Sequence, residues 1–317
     1  MIKVYRQPDV KRNWLVTVAI GEKYLANFEK FALPSWKKYC DRHDLGIVAI
    51  TEQLLAQEDP YWKKPNWQKL LVPKLLLSEL SHVELVCYLD TDILINPYAP
   101  NIFDHYDGKS YGLTSRVDDL PMPLDLVQRQ FVFLRNRYYD SNYPLDSVVF
   151  MPVEKQYTYS NLTPRREASC TGLILFNPNM VATEMEGWFY KYSASDMSVT
   201  GGEQIHVNHE IFETGRVQWL QYEFQATWVY EMAWKYPFLY GKHSENKELI
   251  IDCIEASLFS NYFLHFGGSW HESSMWLLEG IMEQLEFDNL NRDFSAYKAR
   301  KLTGEPKGHI KPRKAEV

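Results

Sequence analysis

The sequence has few cysteines, no long apolar run and no excess of positive charge, and each shortage closes off a class of protein. Four cysteines, Cys40, Cys87, Cys170 and Cys253, are scattered through 317 residues without a CxxC pair. A disulfide-stapled secreted scaffold is therefore not expected, and reduced thiols in a cytoplasmic compartment are. No uninterrupted apolar stretch approaches the ~20 residues that span a bilayer, so no membrane span is expected. The N-terminal MIKVYRQPDVKRNW lacks the apolar segment of a secretory signal. Without an export signal, the sequon Asn161-Leu162-Thr163 reads as chance. A net charge of −7 argues against a general binder of phosphate backbones, and no nucleic-acid partner is expected. No internal repeat is visible.

Aromatic residues are the abundant feature, with 10 Trp and 21 Tyr. Such rings line carbohydrate sites but more often fill cores, and composition alone leaves both readings open. The hydrophobic fraction of 45% and charged fraction of 24% are those of a soluble globular chain, long enough for one large α/β domain or two smaller ones.

Trp14 to Ile20 reads as a buried strand, and Lys23 to Arg42 as a helix kinked or interrupted at Pro34. Leu45 to Ile50 is a second strand. Trp67 to Leu80 reads as a helix that tolerates Pro73 in an early turn, and Val83 to Leu89 as a third strand. This alternation predicts a sheet with parallel crossovers, flanked by helices, whose ligands bind beyond the carboxyl ends of the strands. Further strands are expected at Ser110 to Thr114, Thr171 to Pro178 and Tyr262 to Gly268, and helices at Leu124 to Tyr139, Ala182 to Tyr192 and Glu203 to Phe212. Residues 117–168, rich in Pro, Tyr, Asp and Arg, read as an insertion over the sheet within a single domain of residues 1–298. An amphipathic segment runs from Met275 to Leu285, and the basic tail 299–317 is expected to be disordered.

The third strand ends in LDTD, where Asp90 and Asp92 stand one residue apart. In extended backbone, side chains at i and i+2 share a face, so the pair can converge on one ion. Hard oxygen ligands suit Mg²⁺ or Mn²⁺ shared with substrate phosphates, while a turn capped by Asp is the plainer alternative. His265 ends the late apolar strand and is followed by Gly267 and Gly268, which leave room for a ligand to approach.

Taken in order, four stretches resemble the glycogenin-like branch (family eight) of the GT-A glycosyltransferases. VTVAIGEKY (16–24) is similar to the family's first strand, which implies that Tyr24 stacks on the uracil of a UDP-sugar. Lys74, sixteen residues before Asp90, matches the spacing of the family's helix lysine near the donor. LDTD resembles the metal-binding DxD, which implies that Asp90 and Asp92 hold Mn²⁺ or Mg²⁺ against the diphosphate. HFGGSWH resembles the late His-x-x-Gly-x-x-Lys pattern, with His265 as third metal ligand and Gly268 and His271 beside the donor. The resemblance implies an α/β fold of GT-A, Rossmann-like type: a mixed sheet flanked by helices.

Three positions depart from the family pattern. His271 stands where the family has Lys, Cys170-Thr171-Gly172 replaces Asn-x-Gly, and Gly202-Glu203-Gln204 replaces Gly-Asp-Gln. By resemblance, Glu203 and Gln204 would be the catalytic groups near the sugar carbon. The implied activity is metal-dependent, retaining transfer of a hexose from a nucleotide-sugar, UDP-sugar or else GDP-sugar, to a glycan or glycoconjugate. Asp118, Asp119 and the aromatic stretch from Trp219 to Trp228 are candidates for the acceptor side. Two other readings stay open: a non-catalytic carbohydrate-binding protein on the same scaffold, and a haloacid-dehalogenase-type phosphatase. The latter usually places its DxD at the start of the domain rather than after two strand–helix units.

Overall fold

A strand buried on both faces needs a layer of helices on each side, and Gly46–Ile50, buried at all five positions, is the clearest instance. The structure, a computed structural model, describes residues 2–139, 151–193, 202–268 and 271–278. In chain order the described strands are β1 (Ile2–Arg6), β2 (Asn13–Val18), β3 (Gly46–Ile50), β4 (Leu85–Leu89), β5 (Ile93–Ile95), β6 (Tyr111–Thr114), β7 (Leu173–Phe176), β8 (Val217–Leu220), β9 (Ala226–Thr227) and β10 (Phe263–His265). Seven of them form one mixed sheet in the order β1-β3-β2-β4-β7-β6-β8. Its centre is parallel, with β2 between β3 and β4, as the strand–helix alternation predicts. The antiparallel pairings of β1 with β3 and of β7 with β4 and β6 make it a mixed α/β sheet.

Alternate residues of the central strands feed two cores. Val86 and Tyr88 of β4 face one, with Trp67, Leu76 and Trp188 from the helices on that side. Cys87 and Leu89 face the other, with Phe28, Trp36 and Tyr39. The helical run across this second face meets Pro34 with a π turn, Phe28–Ala32, between helices Glu22–Asn27 and Leu33–His43. Proline has no N–H for the preceding turn, and the wider turn absorbs that loss.

Beyond β4 the chain turns at residues 90–92 and enters a second sheet of order β5-β10-β9. Trp36 Nε1 donates to Ile93 O at 2.8 Å, and Ile95 N donates to Ser35 Oγ at 3.1 Å, fastening β5 to the helix Leu33–His43.

Several elements have no counterpart in the sequence reading, among them β1 and the helix Lys247–Ser260. β1 alternates half-exposed residues at a sheet edge, and the helix Lys247–Ser260 packs against β10. Of the expected insertion, the helices Leu124–Tyr138 and Val153–Tyr159 are described, while residues 140–150 lie outside the described residues. Leu124–Tyr138 packs against the helix Trp228–Lys235, and its buried Arg135 makes a two-pronged pair, 3.2 and 3.1 Å, with Glu272. Met275 falls in a 3-10 segment, Glu272–Leu277; the rest of the amphipathic stretch beyond residue 278 and the tail lie outside the described residues. Among the described residues, no helix is long and apolar enough to cross a membrane.

Where β3 begins, a Cβ at Gly46 would lie 2.2 to 2.6 Å from three ring carbons of the buried Trp14. Gly46→Ala should therefore destabilise the fold by roughly 1–3 kcal/mol through overpacking. Urea unfolding reads this directly, and an unchanged midpoint would show that Trp14 has room to retreat.

Candidate functional site

β4 is buried from Val86 to Leu89, so its chain can present charge only where it leaves the sheet, and there Asp90, Thr91 and Asp92 form the turn into β5. Asp90 N donates to Gly172 O at 2.8 Å, which ties the turn to the approach of β7. The Asp90 Oδ1 atom accepts from Tyr88 Oη at 2.8 Å. In the small sheet, antiparallel pairing sets His265 opposite Ile93, and Phe266 N donates to Asp92 O at 3.0 Å. This register carries the imidazole of His265 to the two carboxylates.

His265 Nε2 lies 3.3 Å from Asp92 Oδ1 and 4.0 Å from Asp90 Oδ2. One ligand atom from each of Asp90, Asp92 and His265 falls within 4.8 Å of the others. Asp92 Oδ1 and His265 Nε2 are buried and have no hydrogen-bond partner among the described residues. Glycines frame the cluster: a Cβ at Gly172 would lie 2.4 Å from His265 Cε1 and 2.9 Å from Asp90 Oδ2, and one at Gly267 would lie 2.9 Å from the imidazole. Two carboxylate oxygens and an imidazole nitrogen, two of them orphaned, fit a divalent cation of the Mn²⁺ or Mg²⁺ kind.

Beside this cluster lies a buried charge pair. Lys69 Nζ sits 2.7 Å from Glu203 Oε1 and 3.4 Å from Asp90 Oδ1, and donates to Thr171 O at 3.0 Å. Glu203 also accepts from Thr171 Oγ1 at 2.8 Å and from Asn66 Nδ2 at 2.6 Å, so both its oxygens are engaged. Burial alone would lower the Lys69 pKa, but Asp90 and Glu203 raise it above the ordinary lysine value. Burial pushes the Glu203 carboxyl up, yet the Lys69 charge and the hydrogen bonds from Lys69 and Thr171 hold it below the usual range. Asp90 ends on the other side: burial raises it, Lys69 pulls it down, the Asp92 charge adds to burial, and the net shift is upward.

These groups line one cavity of about 750 Å³ at the carboxyl edge of β2 and β4. Of the residues singled out in the sequence, Tyr24, Asp90, Asp92, Glu203, Gln204, His265 and Gly268 all line it. Tyr24 is 63% exposed and leaves a ring face open. Lys74 is placed elsewhere: it is exposed on the helix Val72–Glu79 with Nζ 2.8 Å from both carboxylate oxygens of Glu186. Lys69 occupies the cavity instead. The two lysines are five residues apart, about 140° round an α-helix, so both cannot face one pocket. His271 also lies outside the cavity, leading into Glu272–Leu277 with its ring edge-on to Tyr139 at 6.1 Å.

On the expected acceptor side, Asp118 and Asp119 do not reach the cavity, whereas Arg116 does. Trp219 is exposed beside Phe212, outside the cavity, and Thr227, Val229 and Tyr230 supply the wall. Sequence reasoning missed Lys69, Asn66 and Thr171. The one signal for Lys69 is a lysine within a largely apolar run, Trp67 to Val72.

No protein-family model matches the chain, and no curated protein matches it in sequence. Solved structures of similar shape include a glycosyltransferase involved in the glycosylation of the major capsid of PBCV-1, at 11% identity and a TM-score of 0.49 over 84% of this chain and 100% of that one. The bifunctional glycosyltransferase WbbM gives 12% identity and a TM-score of 0.48 over 88% of this chain, which spans about half, 52%, of WbbM. The galactosyltransferase LgtC, in complex with donor and acceptor sugar analogues, gives 12% identity and a TM-score of 0.45 over 93% of this chain and 98% of that one.

Lys69→Met, which strands Glu203 and Asp90 without their counter-charge, should destabilise the protein by roughly 3–5 kcal/mol. Lys74→Met removes an exposed pair and should stay within about 0.5 kcal/mol. Because the folded pKa of Glu203 is depressed, its stabilising pair is present above the unfolded value of about 4.3 and is lost as pH falls through the folded one. The Lys69→Met deficit should therefore be largest near neutrality and shrink in acid. Denaturant titrations at both pH values decide the matter, and equal deficits for the two lysine variants would contradict the placement of Lys69.

Proposed function

We propose that this chain is a metal-dependent glycosyltransferase that moves a hexose from a nucleotide-diphosphate sugar, a UDP-sugar before a GDP-sugar, to a hydroxyl of a glycan or glycoconjugate with retention of configuration. One observation carries the reading: Asp90, Asp92 and His265 converge, with two orphaned polar atoms, at the strand ends of an α/β sheet inside a cavity of about 750 Å³. One ammonium, Lys69, meets two carboxylates, Asp90 and Glu203, while Asp92 lies 3.3 Å from the His265 ring, so the acidic pair keeps charge that a divalent cation can meet.

Asp90, Asp92 and His265 would hold Mn²⁺ or Mg²⁺, which supplies Lewis-acid stabilisation to a diphosphate leaving group. Tyr24 offers its open ring face at the cavity wall for stacking on a nucleobase. Lys64 and Arg116 line the same cavity and take over the cationic part that the sequence reading gave to Lys74 and His271. Glu203 is a weak nucleophile here, since Lys69, Thr171 and Asn66 occupy its oxygens, and it serves to hold Lys69 under the site. Gln204, next in the chain and at the first turn of Gln204–Glu213, is the polar group left to face the sugar. The phosphatase alternative needs Asp90 as an attacking nucleophile, and its Oδ1 instead accepts from Tyr88 and faces Lys69.

Titration calorimetry of UDP with Mn²⁺ tests the proposal. Asp92→Asn should lower the Mn²⁺-linked affinity by at least the roughly 10–100-fold that even an outer-shell loss costs, with Asp118→Asn close to the parent. Equal and small effects from the two variants would refute the metal site. Mn²⁺-linked UDP binding without release of UDP from any nucleotide-sugar in a donor panel would replace the enzyme by a carbohydrate-binding protein on the same scaffold.

A further inference from the structure

His265 turns Nε2 toward the carboxylates, so its other ring nitrogen decides whether Nε2 has a lone pair to offer. A neutral imidazole carries one N–H, and a cation on Nε2 requires that hydrogen on Nδ1. Nδ1 faces two groups, Gln225 Nε2 at 3.3 Å and Cys170 Sγ at 3.5 Å. Gln225 is 2% exposed, and its Oε1 accepts from Thr114 Oγ1 at 2.5 Å, a residue itself 3% exposed. The placement is set by pairing: β9 runs parallel to β10 with Thr227 opposite His265, which brings Gln225 alongside the ring, while Thr114 ends β6 of the main sheet.

Gln225 Nε2 is the amide atom placed nearer Nδ1, the ring's Nε2 faces Asp92 at 3.3 Å, and donor and acceptor roles at the Gln225 contact follow the protonation of the ring. Turning the amide over exchanges its oxygen and nitrogen without moving a neighbour. Oε1 then accepts from Nδ1–H, and Nε2 donates to Thr114 Oγ1, whose hydroxyl changes from donor to acceptor. Both hydrogen bonds persist with their roles reversed.

We infer that Gln225, backed by Thr114, is a positioning residue whose amide oxygen accepts from Nδ1–H of His265 and so leaves Nε2 its lone pair for a cation. The inference rests on the metal-site reading above and adds to it residues that touch neither cation nor donor. A carboxylate at position 225 can only accept and locks the cation-ready tautomer; a thioether of similar length can do neither job well.

The test is Mn²⁺ alone, titrated into the full chain by calorimetry and by the electron-spin signal of free Mn²⁺. Gln225→Met should bind it about 10–100-fold more weakly, Thr114→Val should fall between that variant and the parent, and Gln225→Glu and Cys170→Ala should stay within about 3-fold of the parent. Thermal melts without metal establish that each variant is folded. For the parent, nitrogen NMR of labelled histidine should show Nδ1 protonated and Nε2 without hydrogen once diamagnetic Mg²⁺ is bound, a readout that needs no variant to fold. Parent-like Mn²⁺ affinity in Gln225→Met, equal loss in Gln225→Met and Gln225→Glu, or an Nδ1 without hydrogen in the Mg²⁺ state would overturn the role of Gln225 while leaving the metal site intact. A parent chain that binds no Mn²⁺ would overturn both.

Discussion

Asp90 and Asp92 repel each other at the end of a strand buried on both faces from Val86 to Leu89, and the elements around them are placed to offset that repulsion. Desolvated like charges are costly enough that a fold keeps them only with compensation close by. Tyr88 and Lys69 supply part of it from the main sheet and its covering helices. His265 supplies another part from the second sheet. The two glycines at 172 and 267 contribute empty volume, which lets the His265 imidazole and the Asp90 carboxylate approach each other.

The parallel centre of the sheet was legible because long apolar runs alternating with helical periodicity admit few arrangements. β2, β3 and β4 all lie within a residue or two of the stretches read from the sequence. The carboxylate pair was legible for the same reason: charge following a doubly buried strand can only mark its exit. β1 was not, since an edge strand half open to water carries lysine and arginine among its apolar residues and breaks no rule of a loop. The short β9 and β5 escape notice because pairing partners far away in the chain, rather than local propensity, define them.

Lys74 and Lys69 show where a motif count stops short. Sixteen residues before Asp90 is a distance along the chain, whereas a cavity is met by a direction, and direction turns by about 100° with every helical residue. Here the segment before Val72 is a 3-10 turn, Lys69–Leu71, which shifts the phase again. His271 likewise follows His265 at the expected interval, but its ring packs toward Tyr139 and the helix Leu124–Tyr138. Glu203 occupies the anticipated place with an unanticipated set of partners, because no local pattern ties it to Lys69, 134 positions earlier (203 − 69).

The turn at residues 90–92 is also the seam where the chain passes from one sheet to the other, and its third partner arrives 175 positions later (265 − 90). No stretch of contiguous chain carries all three groups, and the cluster exists only where the two sheets meet. A fragment that kept the parallel centre and lacked β10 would keep the carboxylate pair and lose the imidazole.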